Sequence, residues 1–240
     1  MTTPGPVVIL CGGRGTRLQE KTADLPKPLV EIGGRPIVWH VVQVYAAQGF
    51  REFILCTGYK AQLIADWAAS CDWPEGVEVK AVDTGLDTQT GGRIKRVAPL
   101  VGQRTFCATY GDGVADVDLA EQQAFHAGHG RLATMTVVRP ELQFGITEID
   151  GRGQVTGFHE KPRSEHWING GFFVFDPGVF DYLTESSVLE RAPLEGLAGD
   201  GQLRAFRHTG FWDCMDTYKD SITLNDLWAA GEAPWKLWRD

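Results

Sequence analysis

The sequence predicts an α/β fold, a mostly parallel mixed sheet flanked by helices. Three observations carry this reading. Short apolar runs alternate with longer amphipathic segments, the strand–helix–strand order of a parallel sheet with covering helices. After about residue 140 the texture changes to short strands separated by turns, a mixed extension of the same sheet. The 240 residues fit one α/β core, and no repeat, low-complexity tract or linker divides them, so residues 1–240 are expected to form a single domain.

The elements follow in order. Pro6–Cys11 is a continuous apolar run and reads as a buried strand entering the turn Gly12-Gly13-Arg14-Gly15. Pro36–Gln48 reads as a helix because Ile37, Val41, Val44 and Tyr45 recur at helical spacing. Glu52–Thr57 is a second strand, Lys60–Ala69 a second helix, and the alternating segment Gly76–Val82 a third strand. Phe106–Tyr110 is a fourth strand, ending at Gly111-Asp112-Gly113. Leu119–Gly128 reads as a helix and Ala133–Arg139 as a strand. Beyond these, Gly145–Ile149, Val155–Glu160 and Asn169–Phe175 read as strands, with a turn at Asp150–Gly153 and helices at the C-terminal end.

Composition narrows the function classes. The net charge of −8 argues against a general nucleic-acid binder, although local Arg, Lys and backbone N–H groups can still hold an anion. No run of 18 apolar residues occurs and Met1–Pro6 is too short and polar for a signal peptide, so no membrane association is expected. Five scattered cysteines (Cys11, Cys56, Cys71, Cys107, Cys214) without a CxxC pair favour free thiols and a cytoplasmic location.

The glycine-rich turn after the first strand is the sharpest local signal. Glycines there let the backbone approach a ligand, and successive N–H groups form an anion cradle. The dinucleotide fingerprint fails, because Leu18 stands where its third glycine belongs. The P-loop fails too, because no Lys-Ser/Thr pair follows the second glycine. A turn that merely reverses the chain is the alternative. Against it stands Pro26-Lys27-Pro28, a lysine on a loop stiffened by two prolines and suited to a fixed countercharge for polyphosphate.

Gly12-Gly13-x-Gly15-Thr16-Arg17 together with Pro26-Lys27-Pro28 resembles the signature of the sugar-phosphate nucleotidyltransferases. Further matches are Thr90-Gly91-Gly92-Arg93, Tyr110–Asp116, Glu160-Lys161-Pro162, Asn169–Phe173, Trp212 with Met215-Asp216-Thr217, and Ala233-Pro234-Trp235-Lys236. They cover nearly the whole chain and are most similar to the subgroup that acts on CTP and glucose 1-phosphate. One segment departs: between Ala69 and Thr90 the chain is shorter than that subgroup's pattern, which bears on subunit contacts.

The resemblance implies a Rossmann-like fold of nucleotidyltransferase type, with a nucleotide half at about 1–139 and a sugar-phosphate half at about 140–240. It implies Mg²⁺ held by Asp112 and Asp216, and catalytic roles for Arg17, Lys27 and Lys161. Nucleotide contacts are implied at Leu10, Cys11, Gly12, Gly13, Arg14, Gly15, Thr16, Arg17, Lys27, Thr88, Thr90, Arg93 and Gly111. Sugar-phosphate contacts are implied at Gly145, Glu160, Lys161 and Asn169. The partners implied are CTP, glucose 1-phosphate and further copies of the chain.

Other polar residues compete. Asp116-x-Asp118 has the spacing of a glycosyltransferase metal motif, but acids at a helix N-terminus explain it as well. Asp150, Asp200 and Asp220 sit near turns or polar helix faces and need no role. His126-x-x-His129 reads as a surface pair at a helix end, and Trp228, Trp235 and Trp238 as packing anchors. A cytosine-reading site is expected to use carbonyls near Leu10–Gly13 with Arg93 as a donor, because cytosine presents an amine at position 4 where uracil and thymine present a carbonyl. A glycosyltransferase using Asp116 and Asp118, a thymidylyl- or uridylyltransferase, and a non-catalytic nucleotide-binding regulator remain alternatives.

Overall fold

The computed structural model describes residues 4–15 and 25–239. A seven-stranded sheet forms the centre. Its strands are β1 (Val7–Leu10), β4 (Glu52–Thr57), β5 (Glu78–Asp83), β6 (Phe106–Tyr110), β8 (Ala133–Val138), β11 (Ile168–Phe175) and β12 (Leu203–Arg207), in the order β12-β8-β11-β6-β1-β4-β5. Every pairing is parallel except the two made by β11, so the sheet is mostly parallel and mixed, as the sequence predicts. The order reverses at β1, which has β4 on one side and β6 on the other. Such a reversal opens a crevice at the carboxyl ends of the strands.

The core strands read as continuous apolar runs because both faces of the sheet are covered. Val7 and Ile9 point into one buried cluster and Val8 into the other. The first cluster packs under α1 (Ile37–Ala46), and α2 (Ala61–Ser70) lies beside β5. The second is covered by α3 (Thr90–Arg96), α4 (Ala98–Val101), a 3₁₀ turn at Pro177–Tyr182 and α6 (Ala192–Gly199). Between them in sequence comes α5 (Leu119–His129), and α7 (Tyr218–Ala229) follows near the C-terminus.

Three small two-stranded sheets complete the architecture: β2 (Glu31–Ile32) with β3 (Arg35–Pro36), β7 (Gly113–Ala115) with β13 (Trp212–Cys214), and β9 (Ile146–Ile149) with β10 (Val155–His159). The last pair corrects an expectation. β9 and β10 pair only with each other and do not extend the main sheet. Their residues are exposed or half-exposed on both faces, and among the described residues no layer covers Ile146, Ile149, Val155 or Phe158. The turn between them is tied by Asp150, whose carboxylate accepts from Arg152 N and Gln154 N, with Gly153 at φ +83°.

The histidine pair is a second correction. His126 is buried, its Nδ1 lies 2.8 Å from Thr134 Oγ1 and its Nε2 lies 3.4 Å from Asp176. The i, i+3 spacing puts both rings on the face of α5 that meets β8, so they pack inward. The tryptophans behave as anchors. Trp235 is fully buried, and Trp39, Trp228, Trp235 and Trp238 surround His40. His40 Nε2 donates to Ile32 O at 2.9 Å, and Trp235 Nε1 donates to His40 Nδ1 at 3.3 Å. This pattern needs the neutral ring. Burial lowers the His40 pKa to about 4.

The sign of the resulting pH dependence follows by linkage. Below its ordinary pKa of about 6.5, His40 takes up a proton in the unfolded chain but not in the folded one until about pH 4. Stability is therefore complete above pH 6.5 and declines by up to about 3 kcal/mol as pH falls to 4, at about 1.4 kcal/mol per unit. Urea unfolding at pH 7 and pH 4.5 should show a shallower pH slope in His40→Phe than in the wild-type chain. Equal slopes would contradict the assignment.

Candidate active site

The crevice at the reversal point is a cavity of about 280 Å³. One wall is the end of β1 and the loop after it (Leu10, Cys11, Gly12, Gly13, Gly15), and the other is the end of β6 (Tyr110, Gly111, Asp112). Lys27, Thr88, Thr90 and Arg93 complete the lining. Most of the residues that the sequence assigned to a nucleotide thus share one cavity. Arg14 sits at its mouth, 3.3 Å from Asp87 and 5.9 Å from the Tyr59 ring. Thr16 and Arg17 lie outside the described residues.

Arg93 explains why the loop is shaped as it is. Its buried guanidinium donates to Thr57 O at 2.7 Å, Thr84 Oγ1 at 2.8 Å, Gly85 O at 2.9 Å and Gly12 O at 3.1 Å. One side chain therefore ties the loops after β1, β4 and β5. A Cβ on Gly12 would stand 2.1 Å from this guanidinium, so only glycine fits there. The terminal nitrogens of Arg93 are thus bonded to the protein, and Gly12 O accepts from both Arg93 and Tyr59 N, which fills its two lone pairs.

The two predicted metal acids meet although more than a hundred residues separate them. β7 and β13 run antiparallel with Cys214 opposite Gly113, and Met215 N donates to Asp112 O at 2.9 Å. Asp112 just before β7 and Asp216 just after β13 therefore fall side by side. Lys27 Nζ lies between them, 2.6 Å from Asp112 Oδ2 and 2.5 Å from Asp216 Oδ1. Lys27 opens a single 3₁₀ turn (Lys27–Leu29) between its flanking prolines. Burial works against its charge, but the two carboxylates more than offset that and raise its pKa. Asp220, to which the sequence gave no role, accepts from Asp216 N and Thr217 N and so fixes the backbone that carries Asp216. Thr217-x-x-Asp220 was the available signal, since it is a capping box at the start of α7.

The glycosyltransferase-like pair divides differently. Asp118 caps α5 by accepting from Glu121 N at 2.8 Å, and Asp116 lies 3.0 Å from His208. The two carboxylates serve separate partners.

The residues assigned to the sugar phosphate lie around the base of the β9–β10 ribbon and on β11. A Cβ on Gly145 would come 2.4 Å from the Phe158 ring and 3.0 Å from Glu160 Oε2, so the glycine permits a close approach. Lys161 has φ +45°, a left-handed backbone, and its Nζ forms an ion pair with Glu160 Oε1 at 3.9 Å. It lines a second cavity of about 830 Å³ together with Arg139, Arg163, Trp212 and Lys219. Asn169 donates to Tyr110 Oη at 3.2 Å and so reaches the nucleotide cavity's wall.

Against this geometry, residues 6–210 match the family described as nucleotidyl transferase. The chain belongs to the nucleotidyl transferase family. Among curated nucleotidyl transferases it is similar to the glucose-1-phosphate cytidylyltransferase of Salmonella typhi, 44% identical over 96% of this chain and 98% of that one. It is also similar to the probable glucose-1-phosphate cytidylyltransferase of Bacillus subtilis, 41% identical over 96% and 99%. The alignment with the Salmonella protein spans 254 positions against 240 residues here, so that relative carries residues without a counterpart in this chain. Among solved structures, HddC from Yersinia pseudotuberculosis superposes with a TM-score of 0.73 at 25% identity, covering 93% of this chain and 99% of that one.

The Arg93 arrangement generates a stability test. Arg93→Met removes the charged hydrogen bonds that tie three loops and should cost about 3 kcal/mol or more in urea unfolding, whereas Asp118→Ala removes one helix cap and should cost about 1 kcal/mol. Equal losses would show that Arg93 is not the tie described.

Proposed function

We propose that the protein transfers a cytidylyl group from CTP to glucose 1-phosphate, forming CDP-glucose and releasing pyrophosphate. The observation that carries this reading is the meeting of Asp112, Asp216 and Lys27 at the edge of the cavity between β1 and β6. The names of the curated relatives support the choice of CTP and glucose 1-phosphate.

In this reaction an oxygen of the sugar phosphate attacks the α-phosphorus, the α–β bridging bond breaks, and pyrophosphate leaves with the electron pair. The protein's task is positioning and charge neutralisation. The backbone N–H groups of the loop around Gly12–Gly15 face the triphosphate, with Lys27 as a fixed countercharge and Arg14 on the same loop; a catalytic role is proposed for Arg17 from the sequence alone. Lys161 holds the sugar phosphate, Glu160 accepts from sugar hydroxyls, and Gly145 and Asn169 shape the sugar's surroundings.

The residues present fit Mg²⁺. Asp112 and Asp216 already share one cationic centre in Lys27 Nζ, and among the described residues no third His, Cys, Asp or Glu joins them. Mg²⁺ takes oxygen ligands and is commonly held by one or two carboxylates plus phosphate oxygens. When bound it neutralises charge on the phosphoryl oxygens. Among the described residues no helix is long and apolar enough to cross a membrane, and all five cysteines are free thiols, which supports a cytoplasmic setting. The uncovered apolar side chains of the β9–β10 ribbon support a homo-oligomer, for which light scattering should give a mass above one chain.

Asp112→Asn and Asp216→Asn should each lower turnover by about two orders of magnitude or more while the melting temperature holds, and Asp118→Asn should leave it near normal. Pyrophosphate release in Mg²⁺ with glucose 1-phosphate and CTP, UTP, dTTP or ATP tests the base. CTP should give the highest kcat/KM. A higher value for UTP or dTTP would keep the reaction class and overturn the cytidylyl assignment.

A further inference from the structure

The two halves of the site are joined by a chain of hydrogen bonds that the substrate-contact reading leaves unexplained. Asn169 Nδ2 donates to Tyr110 Oη at 3.2 Å, and Tyr110 Oη donates to Glu190 Oε1 at 2.6 Å. Glu190's other oxygen accepts from Thr90 Oγ1 at 2.7 Å, and Thr90 Oγ1 accepts from Leu189 N at 2.9 Å. At the far end, Asn169 Oδ1 accepts from Gly171 N at 2.8 Å, which fixes which way the amide faces. Thr90 and Tyr110 both line the cavity between β1 and β6, and Asn169 is the residue read above as a sugar contact.

The local fold is built around this chain. Gly171 has φ +83°, and a Cβ there would stand 2.6 Å from the Tyr110 ring, so glycine is what lets the tyrosine lie flat against β11. A Cβ on Gly91 or Gly92 would come within 3 Å of Ser187 or Glu185, and Gly92 N donates to Ser187 O. The two glycines at the start of α3 thus admit the 185–190 segment and bring Glu190 up to Thr90. Burial, with Glu190 beside it, raises the Tyr110 pKa, so the phenol stays a donor through the working pH range. Glu190 supplies two acceptor oxygens to two hydroxyl donors. A glutamine would supply one.

We infer that Glu190 is a positioning residue that, through Tyr110, couples the nucleotide cavity to the sugar-phosphate site, so that filling one sets the geometry of the other. The inference rests on the reading of Thr90 and Asn169 as lining opposite substrates. A ligand that presses on Thr90 or Tyr110 moves the carboxylate both share, and Asn169 follows through the phenol. By linkage the effect is reciprocal: each ligand changes the other's affinity by the same factor.

The test is calorimetry in Mg²⁺. Glucose 1-phosphate binding is measured alone and with a saturating CTP analogue that has a methylene group between the α- and β-phosphorus, and the reverse titration is run as a check. Wild-type protein should bind glucose 1-phosphate roughly fivefold or more tighter with the analogue present. In Tyr110→Phe, which keeps the ring, and in Glu190→Gln, that ratio should fall to near one, and in Glu190→Gln, whose side chain lines neither cavity, each ligand's own affinity should stay within about threefold. Absence of coupling in the wild-type protein overturns the inference, as does a ratio unchanged in both variants. Parallel loss of both affinities at an unchanged ratio overturns it too, because that is the signature of a purely structural role. Asn169→Ala tests the reading beneath the inference. It should weaken glucose 1-phosphate binding; an unchanged affinity would show that Asn169 is no sugar contact, and the inference falls with that reading.

Discussion

Two strands of three residues each bring together the two acids on which the proposed function rests. The antiparallel pairing of Gly113–Ala115 with Trp212–Cys214 places Asp112 beside Asp216. The short ladder would be marginal alone, but it is pinned from three sides. Met215 N bonds Asp112 O, the Asp220 carboxylate holds the backbone after Asp216, and Lys27 offsets the repulsion between the two acids. Two carboxylates this close repel unless a cation stands between them, and the ammonium at 2.5–2.6 Å meets that need.

The nucleotide cavity rests on a comparable economy of parts. The buried guanidinium of Arg93 bonds carbonyls from three loops, so it ties together the chain where the parallel strands end. Its position also accounts for two glycines by exclusion. At both Gly12 and Gly58 a side chain would collide with it.

Much of this was legible in the sequence, and the reasons are specific. β1, β4, β6 and β8 sit in the sheet interior with both faces buried, which leaves an apolar run that cannot be mistaken for a surface segment. The glycine-rich loop, Lys27 and Asp112 stood out in the sequence beside glycines and prolines, and the structure brings them to one cavity with Asp216 against Lys27. α3 was legible as a motif but not as a helix, since Gly91 and Gly92 are poor helix formers that are needed here for close approach. β7 and β13 are too short for a period-2 pattern. Glu190 carried no local signal because its partners lie 80 and 100 residues away, and Arg93's role depends on carbonyl directions that no sequence pattern encodes. His126 was misjudged for the same reason: only the fold shows that its side of α5 faces the sheet.

The β9–β10 ribbon divides the molecule unevenly. The nucleotide cavity is walled by the central sheet, whose opening requires global unfolding, whereas Gly145, Glu160 and Lys161 stand at the root of a ribbon held chiefly by its own hydrogen bonds. Amide exchange in such a fold is graded, slow at β1 and β6 and fast along the ribbon. The two halves are therefore free to change at different rates. Substitutions along the ribbon are expected to cost little global stability, whereas substitutions in the cavity between β1 and β6 disturb the core it is built into.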